Sequence, residues 1–231
     1  MATNVHVLTP FPQPRENEVH IHCVTLSGLA PLYISPDEQL RAEQLLNPDK
    51  QRNFIASHGL LRAILGGYLG KQPQELHFRV GMHGKPSLSG GDAKLHFNLS
   101  HAGYLFLLAI AADREVGIDV EQIRDDTPFA KMAQWAFSPL EQAELFSLPE
   151  HQQRGAFYRC WTRKEAYLKA CGTGFSVPSN SFDVSLLPEA PARVITPDIQ
   201  SRWHLYNITV PTDYCAALAV HESAAVIRYM A

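Results

Sequence analysis

"EVGIDVEQIR", residues 115–124, is where one half of the chain gives way to the other. Val116, Ile118 and Val120 alternate as the buried side of a β-strand, which leaves Asp119 and Glu121 together on the opposite side. Residues two apart on a strand stand about 7 Å from one another, so the two carboxylates repel. Two readings account for them: ordinary acids on a solvated strand face, or a divalent-cation site in which the metal removes the repulsion. A hard cation such as Mg²⁺ takes oxygen ligands, commonly one or two carboxylates completed by phosphate oxygens and water. The pair alone does not choose between the readings; a third partner would.

Working outward on the N-terminal side, "EVHIHCVTL" (18–26) alternates as a first strand, with His20 and His22 on one face. With no third ligand nearby, these histidines read as a solvated strand face rather than a metal pair. Ser35, followed by Pro36 and two acids, starts a helix, and a second helix runs from about Pro48 to Gly70. Phe54, Leu61, Leu65 and Leu69 form the apolar stripe of that second helix, and its glycines mark its end. "ELHFRVG" (75–81) then reads as a strand and "MHGKPSLSGG" (82–91) as a glycine-rich loop. "KLHFNLSH" and "YLFLLAIAA" follow as two more strands, and 113–115 as a turn.

On the C-terminal side the rhythm repeats. Helices are expected at 127–136, at 139–147 behind Ser138 and Pro139, and at 151–171, the last stopped by "CGTG". Strands are expected near 181–187, 203–209 and 214–221. The order predicts an α+β fold of two similar units, 1–113 and 114–231.

Composition narrows the function classes. The 231 residues are 45% hydrophobic and 19% charged, with a net charge of −3 and so no basic footprint for nucleic acid. Four scattered cysteines, with no C-x-x-C pair, read as buried thiols rather than a disulfide frame or zinc site. The longest apolar run is nine residues, too short to span a bilayer, and the start carries no signal-peptide core. These features predict a cytoplasmic protein.

The third partner for the acid pair comes from "WTRKEAYLKACGTG" (161–174), where Glu165 and Lys169 lie one helical turn apart on one face. A surface salt bridge explains that spacing as well. A carboxylate for a metal and an ammonium for phosphate charge, placed so, also suit diphosphate chemistry. In "FNLSHAG" (97–103), adjacent Ser100 and His101 point to opposite faces of a strand, and no G-x-S-x-G elbow surrounds them. They read as hydrogen-bonding groups able to hold a phosphate rather than as a nucleophilic dyad. Lys85 adds a cation on a glycine turn, and Arg52, His58 and Arg62 lie along the second helix, where a solvated face is the simpler reading.

In this order "GKP", "FNLSHAG", "VGIDVE", "FSPLE" and "WTRKEAYLKACGTGFS", spanning 84–176, resemble the 4′-phosphopantetheinyl transferases of the large, single-chain, pseudo-dimeric type. The resemblance implies two subdomains related by a pseudo-two-fold, each a small antiparallel sheet packed with a long helix, with the active site in the cleft between them. It implies transfer of the phosphopantetheine arm of coenzyme A to a serine of an apo acyl or peptidyl carrier protein. Mg²⁺, or Mn²⁺ in its place, would be held by Asp119, Glu121 and Glu165, with adenosine 3′,5′-bisphosphate released. Glu141 matches an acid that takes the serine proton, and Lys169 the lysine that steadies the leaving phosphate. Arg52, Lys85, Ser100 and His101 match positions around the nucleotide, while His58 stands where an arginine is expected. Segment 125–140, with Phe129, Met132 and Trp135, falls where the family docks its carrier, and the family type implies a monomer. A Mg²⁺-dependent phosphohydrolase acting on coenzyme A and a non-catalytic carrier-binding protein remain the alternatives.

Overall fold

Two S-P-x-E stretches, Ser35 to Glu38 and Ser138 to Glu141, start helices by one mechanism. Each serine hydroxyl accepts the backbone N–H three residues on, and each glutamate reaches back to the serine N–H. The helices they open are α1 (Pro36–Glu43) and α4 (Pro139–Ser147). Each capping glutamate is also buried against a cation from a 22-residue helix. Glu38 meets Arg62 of α2 (Pro48–Leu69) at 2.7 Å, and Glu141 meets Lys164 of α5 (Glu150–Cys171) at 2.8 Å. The parallel goes further, because Arg62 lies over the Phe78 ring and Lys164 over the Phe182 ring. Both long helices end on a left-handed glycine, Gly70 and Gly172.

The computed structural model describes residues 10–92, 94–112, 114–172, 176–187, 194–195, 202–222 and 224–230. The turn residue Asp113 and the end of the "CGTG" stop lie outside them. The strands in the first half are β1 (Glu18–Thr25), β2 (Phe78–Val80), β3 (Pro86–Leu88), β4 (Leu95–Ala102) and β5 (Leu105–Ala112). The second half carries β6 (Val116–Gln122), the helix α3 (Phe129–Ala136), β7 (Asp183–Val184), β8 (Val194–Ile195), β9 (Trp203–Asn207), β10 (Tyr214–His221) and β11 (Val226–Met230).

The main sheets have the orders β11-β1-β5-β4 and β6-β10-β9. Apolar side chains fill three spaces between the layers. Leu61 and Leu65 of α2 meet Phe106, Leu108 and Ile110 of the first sheet. Val19, Ile21, Leu107 and Ala109 meet Ile118, Val120 and Leu218 between the sheets. Phe157, Cys160 and Ala166 of α5 cover Ala217 and Ala219 of the second sheet. The result is a mixed α+β fold layered helix, sheet, sheet, helix. No helix among the described residues is long and apolar enough to cross a membrane.

Four sequence expectations need correction. The expected antiparallel sheet within each half is not what forms, because β11 of the second half returns to pair in parallel with β1, Glu18 opposite Val226. The first sheet is therefore mixed rather than purely antiparallel. His20 and His22 are not solvated: they are 1% and 3% exposed, and both hydrogen-bond the Tyr68 hydroxyl, at 2.8 and 3.0 Å. Their strand is buried on both faces, so its alternation separates an apolar partner from a polar one, not core from water. The loop 82–91 contains β3, which closes a hairpin with β2 through a turn at Gly81–Gly84. The apolar stripe of α2 widens to the whole circumference, since every residue from Gly59 to Tyr68 is buried.

Candidate active site

Gly117 determines how close the second sheet comes to its helix. A Cβ on Gly117 would lie 2.2 Å from the Ala166 carbonyl oxygen and 2.3 Å from the Ala170 nitrogen. Only a residue without a side chain lets β6 touch the backbone of α5 in this way. Alternation then places Asp119 and Glu121 on the same helix-facing side as Gly117, with Ile118 and Val120 in the core between the sheets. Glu165 and Lys169 stand next to the Gly117 contact on α5, so strand acids and helix groups share one wall.

That wall lines a cleft of about 960 Å³ between the halves. Asp119, Glu121, Glu165 and Lys169 reach it from the second half, and Lys85, Ser100 and His101 from the first. The seam itself is held by side chains of β4. Asn98 Oδ1 accepts the Ile118 N–H at 2.8 Å, and Ser100 Oγ accepts the Val120 N–H at 3.3 Å.

Asp119 is the pivot of the charged groups and is only 3% exposed. Its Oδ1 accepts from Lys169 Nζ at 2.6 Å and from Ser100 Oγ at 3.1 Å, and Lys169 also donates to Ser100 Oγ at 2.9 Å. Its Oδ2 is buried with no hydrogen-bond partner. Burial pushes the Asp119 carboxyl up, against the pull of Lys169. Burial, followed by the charge of Asp119, raises Glu165 and lifts Glu121 to about 7. Trp161 pulls the Glu121 carboxyl the other way, and it meets Trp135 edge-on at 5.7 Å.

Among the described residues no three His, Cys, Asp or Glu side chains are drawn together as a ready ligand set, and at Asp119 Oδ1 the Lys169 ammonium stands instead. The donor set nonetheless fits an open hard-cation site. Three carboxylates share one cleft wall, each raised by burial, and one buried oxygen of Asp119 lacks a partner. Such a site takes few protein oxygens and leaves positions for phosphate and water.

Two predicted residues fall elsewhere. Glu141 does not line the cleft: it is 2% exposed and its carboxylate is engaged by Lys164, by the Ser138 N–H and by the Val184 N–H. In this structure it serves as a helix cap and as the buried counter-ion of Lys164. Arg52 is on the exposed outer face of α2, paired with Asp49, and does not line the cleft either.

The basic residue that does line the cleft there is Arg41, beside His58, whose Nδ1 is 3.1 Å from Glu38 Oε1. Arg62 is spent on Glu38 and on the carbonyls of Pro73 and Leu76. Lys85 contributes its side chain to the cleft, but its ammonium is held by Glu115 at 2.6 Å and by the carbonyls of Val116 and Ala170. His101 lines the cleft as well, and desolvation and then the Lys169 charge hold its imidazole below the usual histidine range. Sequence reasoning missed Gly117 and Arg41. The available signals were a glycine inside a strand and an arginine one turn past a capping glutamate.

Residues 115–219 match the model of the 4'-phosphopantetheinyl transferase superfamily. The 4'-phosphopantetheinyl transferase HetI of Nostoc sp. is 40% identical over 224 residues, covering 95% of this chain and 89% of its own. The 4'-phosphopantetheinyl transferase Sfp of Bacillus subtilis is 26% identical over 190 residues, covering 80% and 83%. A holo-(acyl-carrier-protein) synthase from Bacillus anthracis, solved in complex with CoA (3',5'-ADP), is 23% identical with a TM-score of 0.41 over 47% of this chain and 96% of its own. That last likeness is too slight to add to the others. The chain belongs to the 4'-phosphopantetheinyl transferases. Within them it is of the large single-chain type, which its relatives match over most of their length.

Proposed function

We propose that the cleft binds coenzyme A with its diphosphate at the acid wall and transfers the 4′-phosphopantetheine arm to a serine hydroxyl of an apo carrier protein. Adenosine 3′,5′-bisphosphate leaves. The observation that carries this reading is the meeting of Asp119, Glu121, Glu165 and Lys169 in one cleft, with a buried Asp119 oxygen unpartnered. Asp119, Glu121 and Glu165 would hold Mg²⁺, or Mn²⁺ in its place. When bound, the ion offsets negative charge on the diphosphate as the phosphorus is attacked.

The side chains supply the remainder. Lys169 Nζ neutralises the phosphate oxygen that leaves with the nucleotide. Glu165, on the cleft wall, accepts the serine proton in the place first expected of Glu141. Arg41, His58 and His101 face the nucleotide's other charge across the cleft. Ser100 keeps Asp119 and Lys169 in register. The matching caps, buried cations and glycine stops of α1–α2 and α4–α5 support reading the halves as pseudo-two-fold subdomains. The same reading carries a monomeric, cytoplasmic enzyme.

For the carrier, the exposed apolar side chains of α3 and α4 are the fitting surface. Trp135 and Leu140 are 61% and 71% exposed, whereas Phe129 and Met132 are partly buried against the core. Exposed Lys131 on the same helix complements an acidic partner. The test is incubation with coenzyme A, Mg²⁺ and a panel of apo carriers, scored by mass. Gain of the arm's mass on a carrier is the expected result. Coenzyme A hydrolysed without a carrier would favour the phosphohydrolase, and a carrier bound but unmodified would favour the binding protein.

A further inference from the structure

Lys169 occupies one of the two carboxylate oxygens that Asp119 has to offer a cation at the acid wall. Its Nζ lies 2.6 Å from Asp119 Oδ1, and the hydroxyl of Ser100 braces the pair from the other strand. The lysine side chain is 31% exposed while that of Asp119 is 5% exposed, so the ammonium has room to leave and the carboxylate does not. A divalent cation arriving alone meets a positive charge already seated, with the opposing Asp119 Oδ2 as its unpartnered foothold. A diphosphate arriving with the cation offers the ammonium a new anion within the same cleft.

We propose that Lys169 is an exchangeable counter-ion: it holds Asp119 in the resting enzyme and moves from that carboxylate to the diphosphate when cation and coenzyme A bind together. The inference rests on the metal-site reading above and adds an order to it. Metal binding is weak before coenzyme A and strong after it. Because coupling between two binding events is reciprocal, the metal tightens coenzyme A by the same factor. The four-carbon stem of lysine allows the swing, and its compact ammonium suits both partners. Asp119, fixed by burial and by Ser100, stays as the metal's anchor.

The test is Mn²⁺ binding to the intact protein, by electron paramagnetic resonance or titration calorimetry, with and without coenzyme A and with no carrier present. Lys169→Gln keeps a donor for Asp119 and removes the charge. It is expected to bind Mn²⁺ alone roughly tenfold more tightly than the wild type, in the usual range of coupling between sites. Its gain on adding coenzyme A should be correspondingly smaller. Lys169→Arg, which keeps the charge, should bind Mn²⁺ alone as weakly as the wild type. Circular dichroism establishes that each variant is folded. If Lys169→Gln binds Mn²⁺ alone no more tightly than the wild type, the exchange is overturned while the metal site stands. If no form binds Mn²⁺ with or without coenzyme A, the metal site falls and the exchange with it.

Discussion

A Cβ added to Gly117 would stand 2.2 Å from the carbonyl oxygen of Ala166, well inside contact distance and against the backbone of α5. The closeness of β6 to α5, and with it the sharing of one wall by Asp119, Glu121, Glu165 and Lys169, depends on that missing side chain. Gly117→Ala must push strand and helix apart. The expected cost is about 2 kcal/mol of stability, as for overpacking in a core, read from the urea midpoint. Transfer rate at a temperature where the variant is fully folded should fall by a larger factor than stability alone explains. Unchanged stability and rate would mean that the contact yields without moving the acids.

Glu141 and Lys164 form a buried pair away from the cleft, and burial raises the Glu141 carboxyl against the pull of Lys164. Glu141→Gln leaves the Lys164 ammonium without its counter-charge, which costs about 3 kcal/mol for a broken buried pair. The deficit should appear in the denaturant midpoint, and kcat of the folded variant should stay close to wild type. Pairing it with Lys164→Met should recover stability. A large loss of kcat at full folding would restore Glu141 to the chemistry.

His22 gives the fold a pH limit. Burial, and then the neighbouring His20, holds its imidazole down to about 4. The unfolded chain binds a proton near 6.5, so the folded state refuses a proton that the unfolded state accepts. Stability contributed by neutral His22 is complete above 6.5 and is lost as pH falls toward 4, by up to about 3 kcal/mol. In His22→Gln, which keeps a partner for Tyr68 and does not titrate, that slope should be flatter. Equal slopes in thermal unfolding from pH 7 to pH 4.5 would refute the assignment.

Arg41 lines the cleft and Arg52 does not. Arg41→Ala is expected to raise the KM for coenzyme A roughly tenfold while leaving stability within about 0.5 kcal/mol, as for surface changes. Arg52→Ala should change neither, because its partner is the exposed Asp49. A KM effect at Arg52 and none at Arg41 would reverse the placement.

The legible parts of the sequence were those with a local cause. Ser35, Ser138 and their prolines announced helices whose starts the structure reproduces at Pro36 and Pro139. Alternation from Val116 to Glu121 correctly put Val120 in the core and the acids opposite. What was not legible depended on partners distant in the chain. His20 and His22 look like a wet strand face until Tyr68, 46 to 48 residues on, supplies a buried hydroxyl. Glu141 looks like a free acid until Lys164 and the Val184 N–H claim both its oxygens. The place of Arg52 beside Asp49, off the cleft, could not be read because helical spacing does not say which face a neighbouring layer covers. The pairing of β11 with β1 joins strands from opposite halves of the chain, and no local pattern encodes it.

The most direct test of the acid wall is the transfer rate of Glu165→Gln and Asp119→Asn against wild type across a Mg²⁺ titration, read as mass added to an apo carrier. Wild-type transfer should rise with Mg²⁺ and stop on chelation. Both variants, shown folded by circular dichroism, should lose at least roughly a hundredfold in rate, as when a group stabilising transition-state charge is removed. Transfer near the wild-type rate in either variant, or wild-type transfer that persists in excess chelator, would contradict the account.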